Sequence, residues 1–354
     1  MSRFLQLHVL TSYPPSNLNR DDTGRPKTAL LGNAQRLRVS SQSLKRAWRT
    51  SETFEQALAG QLGTRTKRLG HEVHAALVAG GIAEKTAREW TRAIAGAFGK
   101  PKSDKKSENN EDLEIEQLAH LSPEERAAVQ ALTEALVARR EAPTEAELKL
   151  LTLPRGSVDI ALFGRMLADS PAHNVEAAAQ VAHAITVHAA AVEDDYFTAV
   201  DDLNKNDPGA AHLGERGYGA GLFYLYLCID RELLAKNLGD DDALVERALR
   251  ALLRAVCTVS PTGMQNSFAS RAYASFALAE KGAQQPRSLA QAFLKPIQAR
   301  RGQDESELQL AIAALQERAT KFDAAYGACA EARYTLDVEA GTGSLDGLSD
   351  FAAS

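Results

Sequence analysis

Strand-type alternation occupies the start of this chain, gives way to helical patterning from residue 51 to 153, and returns after Gly156. Residues 4–10 alternate, with Leu5, Leu7 and Val9 on one face and Phe4, Gln6, His8 and Leu10 on the other, which predicts a half-buried strand. Within the helical interval, Ser122-Pro123-Glu124-Glu125 is a capping box with proline at the first helical position. Ala128, Leu132, Ala135 and Leu136 follow on one face. Thr144-Glu145-Ala146-Glu147 repeats the start signal. Strands on both sides of a helical block, without regular strand–helix alternation, predict an α+β fold rather than a doubly wound parallel sheet. No internal repeat at a solenoid period is visible.

Residues 158–163 and 182–188 alternate as short strands, although the second, rich in alanine, also fits a helix. Residues 194–200 and 222–229 predict the two strands of an extended hairpin, joined by a segment rich in Asp, Asn and Gly. Gly217, Gly219 and Gly221 fall between them and fit turn chemistry better than a phosphate loop. Helices are predicted over 242–256 and 305–325, a strand over 270–278, and a frayed tail from Gly341. Residues 11–39 lack periodicity and are rich in Pro, Asn, Gly and Arg, which predicts a long functional loop. The polar run 100–111 predicts a mobile loop inside the helical block.

The 354 residues are 44% hydrophobic and 25% charged, enough for a sizeable core and against general disorder. No apolar run approaches the roughly 18–20 residues of a membrane span, and the start has no signal-peptide pattern. A cytoplasmic protein without membrane partners is expected. Cys228, Cys257 and Cys329 are odd in number and far apart, offering neither a disulfide framework nor a CxxC site. His71 and His74 could share a helical face, and His183 and His188 lie five apart, but no cysteine or carboxylate cluster completes a metal set. No metal and no cofactor are expected.

The chain carries a net charge of −5, yet residues 19–49 concentrate Arg20, Arg25, Lys27, Arg36, Arg38, Lys45, Arg46 and Arg49 against only Asp21 and Asp22. The run ends in a loop entering a helix, which Ser40 or Ser41 can cap. Gln42, Lys45, Arg46 and Arg49 share one face, while Leu44, Ala47 and Trp48 form an apolar face for docking on a core. Lys45 and Arg49 then stand about one turn apart, roughly 5–6 Å, near the phosphate repeat of a single strand. Exposed N–H groups at a helix start, joined by cations, suit a nucleic-acid backbone. A solvated charged face is the structural alternative. The overall acidity argues against a surface that coats nucleic acid everywhere and permits a local basic groove.

The blocks Asn17-Leu18-Asn19-Arg20-Asp21-Asp22, Arg38 through Ala47, Val158 through Met166, Ala182 through Thr186, Phe197 through Leu203 and Ala211-His212-Leu213-Gly214 resemble, in order, the CasC (Cse-type) backbone subunits of Cascade, the type I-E CRISPR surveillance complex. The resemblance covers 1–50 and 157–230. It implies an RRM-like (ferredoxin-like) palm from 1–50, 157–192 and 225–354, helical fingers from 51–156 and a β-hairpin thumb from 193–224. It implies a non-catalytic subunit that stacks with further copies of itself in a helical filament along CRISPR RNA (crRNA), beside other Cascade subunits. Target DNA would be met through the guide heteroduplex. Ser40, Gln42, Lys45 and Arg49 would hold guide phosphates, supported by Arg20 and Lys27. Met166 and Phe197 would form the wedge where a displaced nucleotide sits. Phosphate contacts position a strand without reading it, so base pairing remains the reader. The loop 261–266 lacks the basic residues expected beside RNA.

A different class of function attaches to Asp21. In related type III complexes a backbone-subunit aspartate in the equivalent loop cuts target RNA with metal assistance. Alternatively Asp21 pairs with Arg20 or Lys27 and fixes the loop. A scaffold that binds only proteins is the third reading.

Overall fold

The computed structural model describes residues 2–103, 110–200, 210–299 and 304–354. Its strands are β1 Phe4–Ser16, β2 Thr28–Leu31, β3 Ala34–Val39, β4 Thr64–Thr66, β5 Ala119–Leu121, β6 Ala179–Val181, β7 Ala184–Thr186, β8 Glu193–Val200, β9 Ala210–Asp230, β10 Ala274–Gly282 and β11 Ala332–Asp337. Its helices are α1 Ser41–Arg49, α2 Glu52–Ala57, α3 Leu69–Ala79, α4 Glu84–Gly96, α5 Pro123–Arg139, α6 Val158–Phe163, α7 Arg231–Asn237, α8 Asp242–Thr258, α9 Gln265–Phe268, α10 Glu307–Tyr326 and α11 Leu345–Ala353. The mixed α+β composition agrees with the strand and helix patterning. Residues 201–209 of the expected hairpin loop and the centre of the polar run at 104–109 lie outside the described residues. The rest of that loop is strand: β8 pairs with residues 210–218 of β9 and not with 222–229, which pair with β1.

Two compact units emerge: Met1–Ala57, Ala179–Arg231 and Leu249–Ser354 form the first, Leu58–Ala178 and Glu232–Ala248 the second. These limits differ from the composition shifts at 50/51 and 156/157. Packing explains the difference at the second shift. The Val158 N–H donates to Gln61 O, and Leu150 and Leu167 share one core with Leu69, Trp90 and Leu132.

The first unit is built on an antiparallel sheet in the order β11-β10-β1-β9-β7-β3-β2, with β6 and β8 also paired to β9. In β1, Leu7 faces Ala279 of β10 on one side and Leu227 of β9 on the other. This strand is buried on both faces rather than half-buried, because Gln6 and His8 are enclosed along with Leu5, Leu7, Val9 and Leu10. Enclosure is tolerable because the polar atoms find partners. His8 Nδ1 meets the Tyr224 hydroxyl at 2.9 Å, His8 Nε2 meets Glu280 at 3.2 Å, and Arg287 and Arg333 both donate to Glu280. On that face Leu10, Tyr224, Phe276 and Leu278 pack against Phe293, Ile312 and Leu315.

Residues 11–39 are not one long loop. β1 continues to Ser16 and β2 pairs with β3. Pro14 and Pro15 concealed the continuation; they fall where the β1–β9 register shifts between Tyr13 and Ser16, a bulge in which a missing N–H breaks no ladder bond. Gly217, Gly219 and Gly221 likewise lie within β9 and not in a turn. A Cβ on Gly219 would come 2.8 Å from Leu37, and one on Gly221 2.7 Å from Thr186, so these positions admit neighbouring side chains across the strand. The tail is docked instead of frayed: α11 buries Leu348 and Ala352, and Ser354 O accepts from Arg231 at 2.8 Å and Lys281 at 3.0 Å.

The second unit holds α3, α4 and α5 around a core that includes Leu77, Trp90, Ile94 and Leu136, with β4 and β5 paired. Ser122 and Glu125 form the expected reciprocal cap of α5. Thr144 starts no helix; Glu147 accepts from the Thr144 N–H and hydroxyl while Arg139 grips it bidentately, closing a turn. The Arg139 hydrogen bond and the Thr144 contacts hold Glu147 down at about 2. Residues 158–163 are helix α6, not a strand, with Ala161 N bonded to Ser157 O and Gly164 N to Ile160 O. Val158 through Leu162 are all buried, so no exposed position was available to reveal the period.

Candidate nucleic-acid interface

The Arg20 loop of the first unit is held from below by two asparagines. Buried Asn17 donates to Gly24 O and Gly217 O, each at 2.9 Å. Asn19 accepts the Lys27 N–H on its main-chain oxygen at 2.8 Å and the Ser40 N–H on its side-chain oxygen at 2.9 Å. Arg20, Lys27 and the start of α1 therefore meet at one residue. Asp21 pairs with neither Arg20 nor Lys27: Oδ1 accepts the Thr23 N–H, the Thr23 hydroxyl and the Arg25 N–H at 2.9, 2.8 and 3.0 Å. The Thr23 bond leads these contacts in holding the carboxyl below its ordinary value. Arg25 turns aside to Asp194 at 3.0 Å.

Helix α1 forms as its pattern predicts. Ser40 caps it by accepting the Ser43 N–H at 3.3 Å, and Leu44, Ala47 and Trp48 are buried. Gln42 and Arg46 are exposed on the other face; Lys45 and Arg49 are half-buried, and burial lowers the Lys45 pKa. The Ser41 N–H donates to His183 Nδ1 at 3.0 Å. Burial, then Arg38 and Lys27, push the His183 pKa down, which keeps the ring neutral and able to accept. Sequence patterning identified neither Asn19 nor His183 as supports, because each acts across a long sequence separation.

Not every cation in the basic run faces outward. Arg36 is fully buried and donates to Thr186 O at 2.9 Å and Phe293 O at 2.7 Å. Arg216 of β9, unremarked in the sequence, joins Arg20 and Arg25 in lining an open groove of about 370 Å³ beside Asp194 and Met264. Among the described residues no three His, Cys, Asp or Glu side chains gather to hold a metal ion.

Phe197, in β8, lies opposite Gly214 in register. Its ring covers that glycine so closely that an added Cβ would sit 2.2 Å from it, and the Arg216 guanidinium stacks 4.8 Å from the ring centre. Met166 belongs to the second unit and is 78% exposed. Gly164, at φ +80°, ends α6, and Arg165 turns inward while Met166 projects out. The structure thus gathers Arg20, Lys27 and Ser40 at one junction, continues them along α1 to Gln42, Lys45 and Arg49, and sets Phe197 and Met166 in separate units.

Comparison with known proteins supplies the class. Over its full length the chain is similar to a chain of a "CRISPR RNA-guided surveillance complex, pre-nicking", with a TM-score of 0.84, 31% identity and 99% of each chain covered. A second, from a "CRISPR RNA-guided surveillance complex", gives a TM-score of 0.62 and 26% identity over 99% of this chain and 98% of the other. Among curated proteins, no sequence matches. The sheet, the basic edge and these likenesses define a CRISPR-associated (Cas) protein. The chain belongs to the Cas family of CT1975-like proteins, whose family model matches residues 5–350. No described helix is long and apolar enough to cross a membrane.

Proposed function

We propose that this protein is a non-catalytic backbone subunit of a type I-E CRISPR surveillance complex, acting in the cytoplasm. In this reading the first unit is an RRM-like palm, the second the helical fingers, and the β8–β9 hairpin the thumb. Arg20, Lys27, Ser40, Gln42, Lys45 and Arg49 hold successive guide-RNA phosphates, a contact that fixes register and leaves bases free to pair with target DNA. Met166 and Phe197 offer a thioether and an aromatic face to a base taken out of the stack. Copies linked along one RNA bind with multiplied strength, so few contacts per copy suffice.

The observation that carries the reading is the full-length likeness to a chain of an RNA-guided complex. The edge where Asn19 joins Lys27 and Ser40 supports the phosphate assignment. The test is to purify the protein from its own cell and sequence the RNA that accompanies it. Repeat–spacer species bound by several copies support the proposal; nucleic-acid-free protein rejects it.

A further inference from the structure

Met166 sits beside a buried ion pair. Arg165 and Glu125 have side chains only 1% and 0% exposed, with Nη1 2.8 Å from Glu125 Oε2. Arg165 Nη2 donates to Thr152 O at 2.7 Å and His173 O at 2.9 Å, and Nη1 also reaches His120 O at 3.3 Å. Glu125 is equally engaged: its Oε2 accepts the Ser122 N–H and its Oε1 the Thr152 N–H, each at 2.9 Å. One guanidinium therefore joins the start of α5, the strand β5, the segment at Thr152 and the loop at His173. On the other side of Met166, the Leu167 N–H donates to Asn174 at 2.6 Å and the Leu167 side chain is buried. An exposed methionine flanked by two anchored neighbours has its backbone fixed and its side chain presented to solvent.

We infer that Arg165, neutralised by Glu125, is a positioning residue that sets Met166 at the height and angle needed to hold a nucleobase out of the stack. A planar guanidinium with five donors in a fixed fork reaches four acceptor groups here, whereas a lysine ammonium has only three donors clustered on one atom. Rigid support matters because a side chain displaced by about an ångström no longer meets its partner. This inference rests on the proposed role of Met166 in guide binding.

The test uses the assembled complex with a guide carrying a fluorescent adenine analogue, quenched by stacking, at successive positions. Bright positions mark displaced bases. Met166→Ala should dim them several-fold. Arg165→Lys and Glu125→Gln should dim them when Met166 is present and have no further effect in the Met166→Ala background, the non-additivity expected of one coupled device. If Met166→Ala leaves the bright positions unchanged, the wedge reading falls and this inference with it. If Met166→Ala dims them while Arg165→Lys does not, the wedge stands and the positioning role is overturned. Equal dimming by Arg165→Lys in both backgrounds, or failure of both Arg165→Lys and Glu125→Gln chains to assemble, would assign the pair to folding alone and overturn it too.

Discussion

Asn19 Oδ1 accepts the Ser40 N–H at 2.9 Å, tying the Arg20 loop to the cap of α1. Asn19→Ala removes that acceptor while the main-chain bond to Lys27 remains possible. Loss of about 1 kcal/mol of stability is expected from one missing hydrogen bond. Guide affinity should fall several-fold as Arg20 and Ser40 lose their common reference. Denaturant melts paired with filter binding would check both, and unchanged affinity would detach the loop from the interface.

Lys45→Ala with Arg49→Ala should weaken guide binding and flatten its salt dependence. Each phosphate contact on a single strand contributes a slope of about 0.7, so the double variant should lose about 1.4 per subunit. Titrations across a salt series measure it. A slope equal to wild type would return α1 to the status of a solvated charged face.

Arg36→Leu should behave in the opposite way. Its guanidinium meets Thr186 O and Phe293 O inside the first unit, so substitution leaves buried carbonyls unpaired, at roughly 3 kcal/mol. The melting temperature should drop while the salt slope of the surviving folded protein stays the same.

Acid should destabilise the sheet through Glu280 and His8. Burial alone would raise the Glu280 pKa, but hydrogen bonds from His8 and Arg287 hold it well below the ordinary 4.5. Its folded pKa is depressed, so its contribution is present above about 4.5 and lost as pH falls through the folded value. Burial holds His8 below the ordinary 6.5, so stability also begins to decline as pH drops under 6.5. Glu280→Gln should cost about 2–3 kcal/mol at neutral pH, because half-buried Arg287 loses its charged acceptor while Arg333 keeps Asp323. It should also shallow the acid limb of a stability–pH curve measured by chemical denaturation.

Complementary RNA incubated with the assembled complex and Mg²⁺ should remain uncut. Asp21 already accepts three hydrogen bonds from its own loop. Site-specific cuts on a sequencing gel that vanish in Asp21→Ala would establish the nuclease reading instead.

Much of α1 was legible in the chain. Its cap, its apolar face of Leu44, Ala47 and Trp48, and the grouping of Gln42, Lys45, Arg46 and Arg49 follow from spacing that repeats within a few residues. The cap of α5 was legible for the same reason. The partner of β8 was not: it pairs with residues 210–218 of β9, while 222–229 pair with β1, because strand pairing across the sheet leaves no local periodicity to read. Residues 158–163 were not, since six residues buried almost throughout give strand and helix the same appearance.

The amino-acid order by itself determined that strands and helices are mixed, which face of α1 is cationic, and that a basic run sits in an acidic chain. Tertiary structure alone decided what each cation does. Arg36 and Lys45 lie in the same basic run, yet Arg36 is enclosed by carbonyls 150 and 257 residues away while Lys45 is only half-buried. Periodicity is a local property of the chain, whereas desolvation of a charge depends on which distant segments cross it.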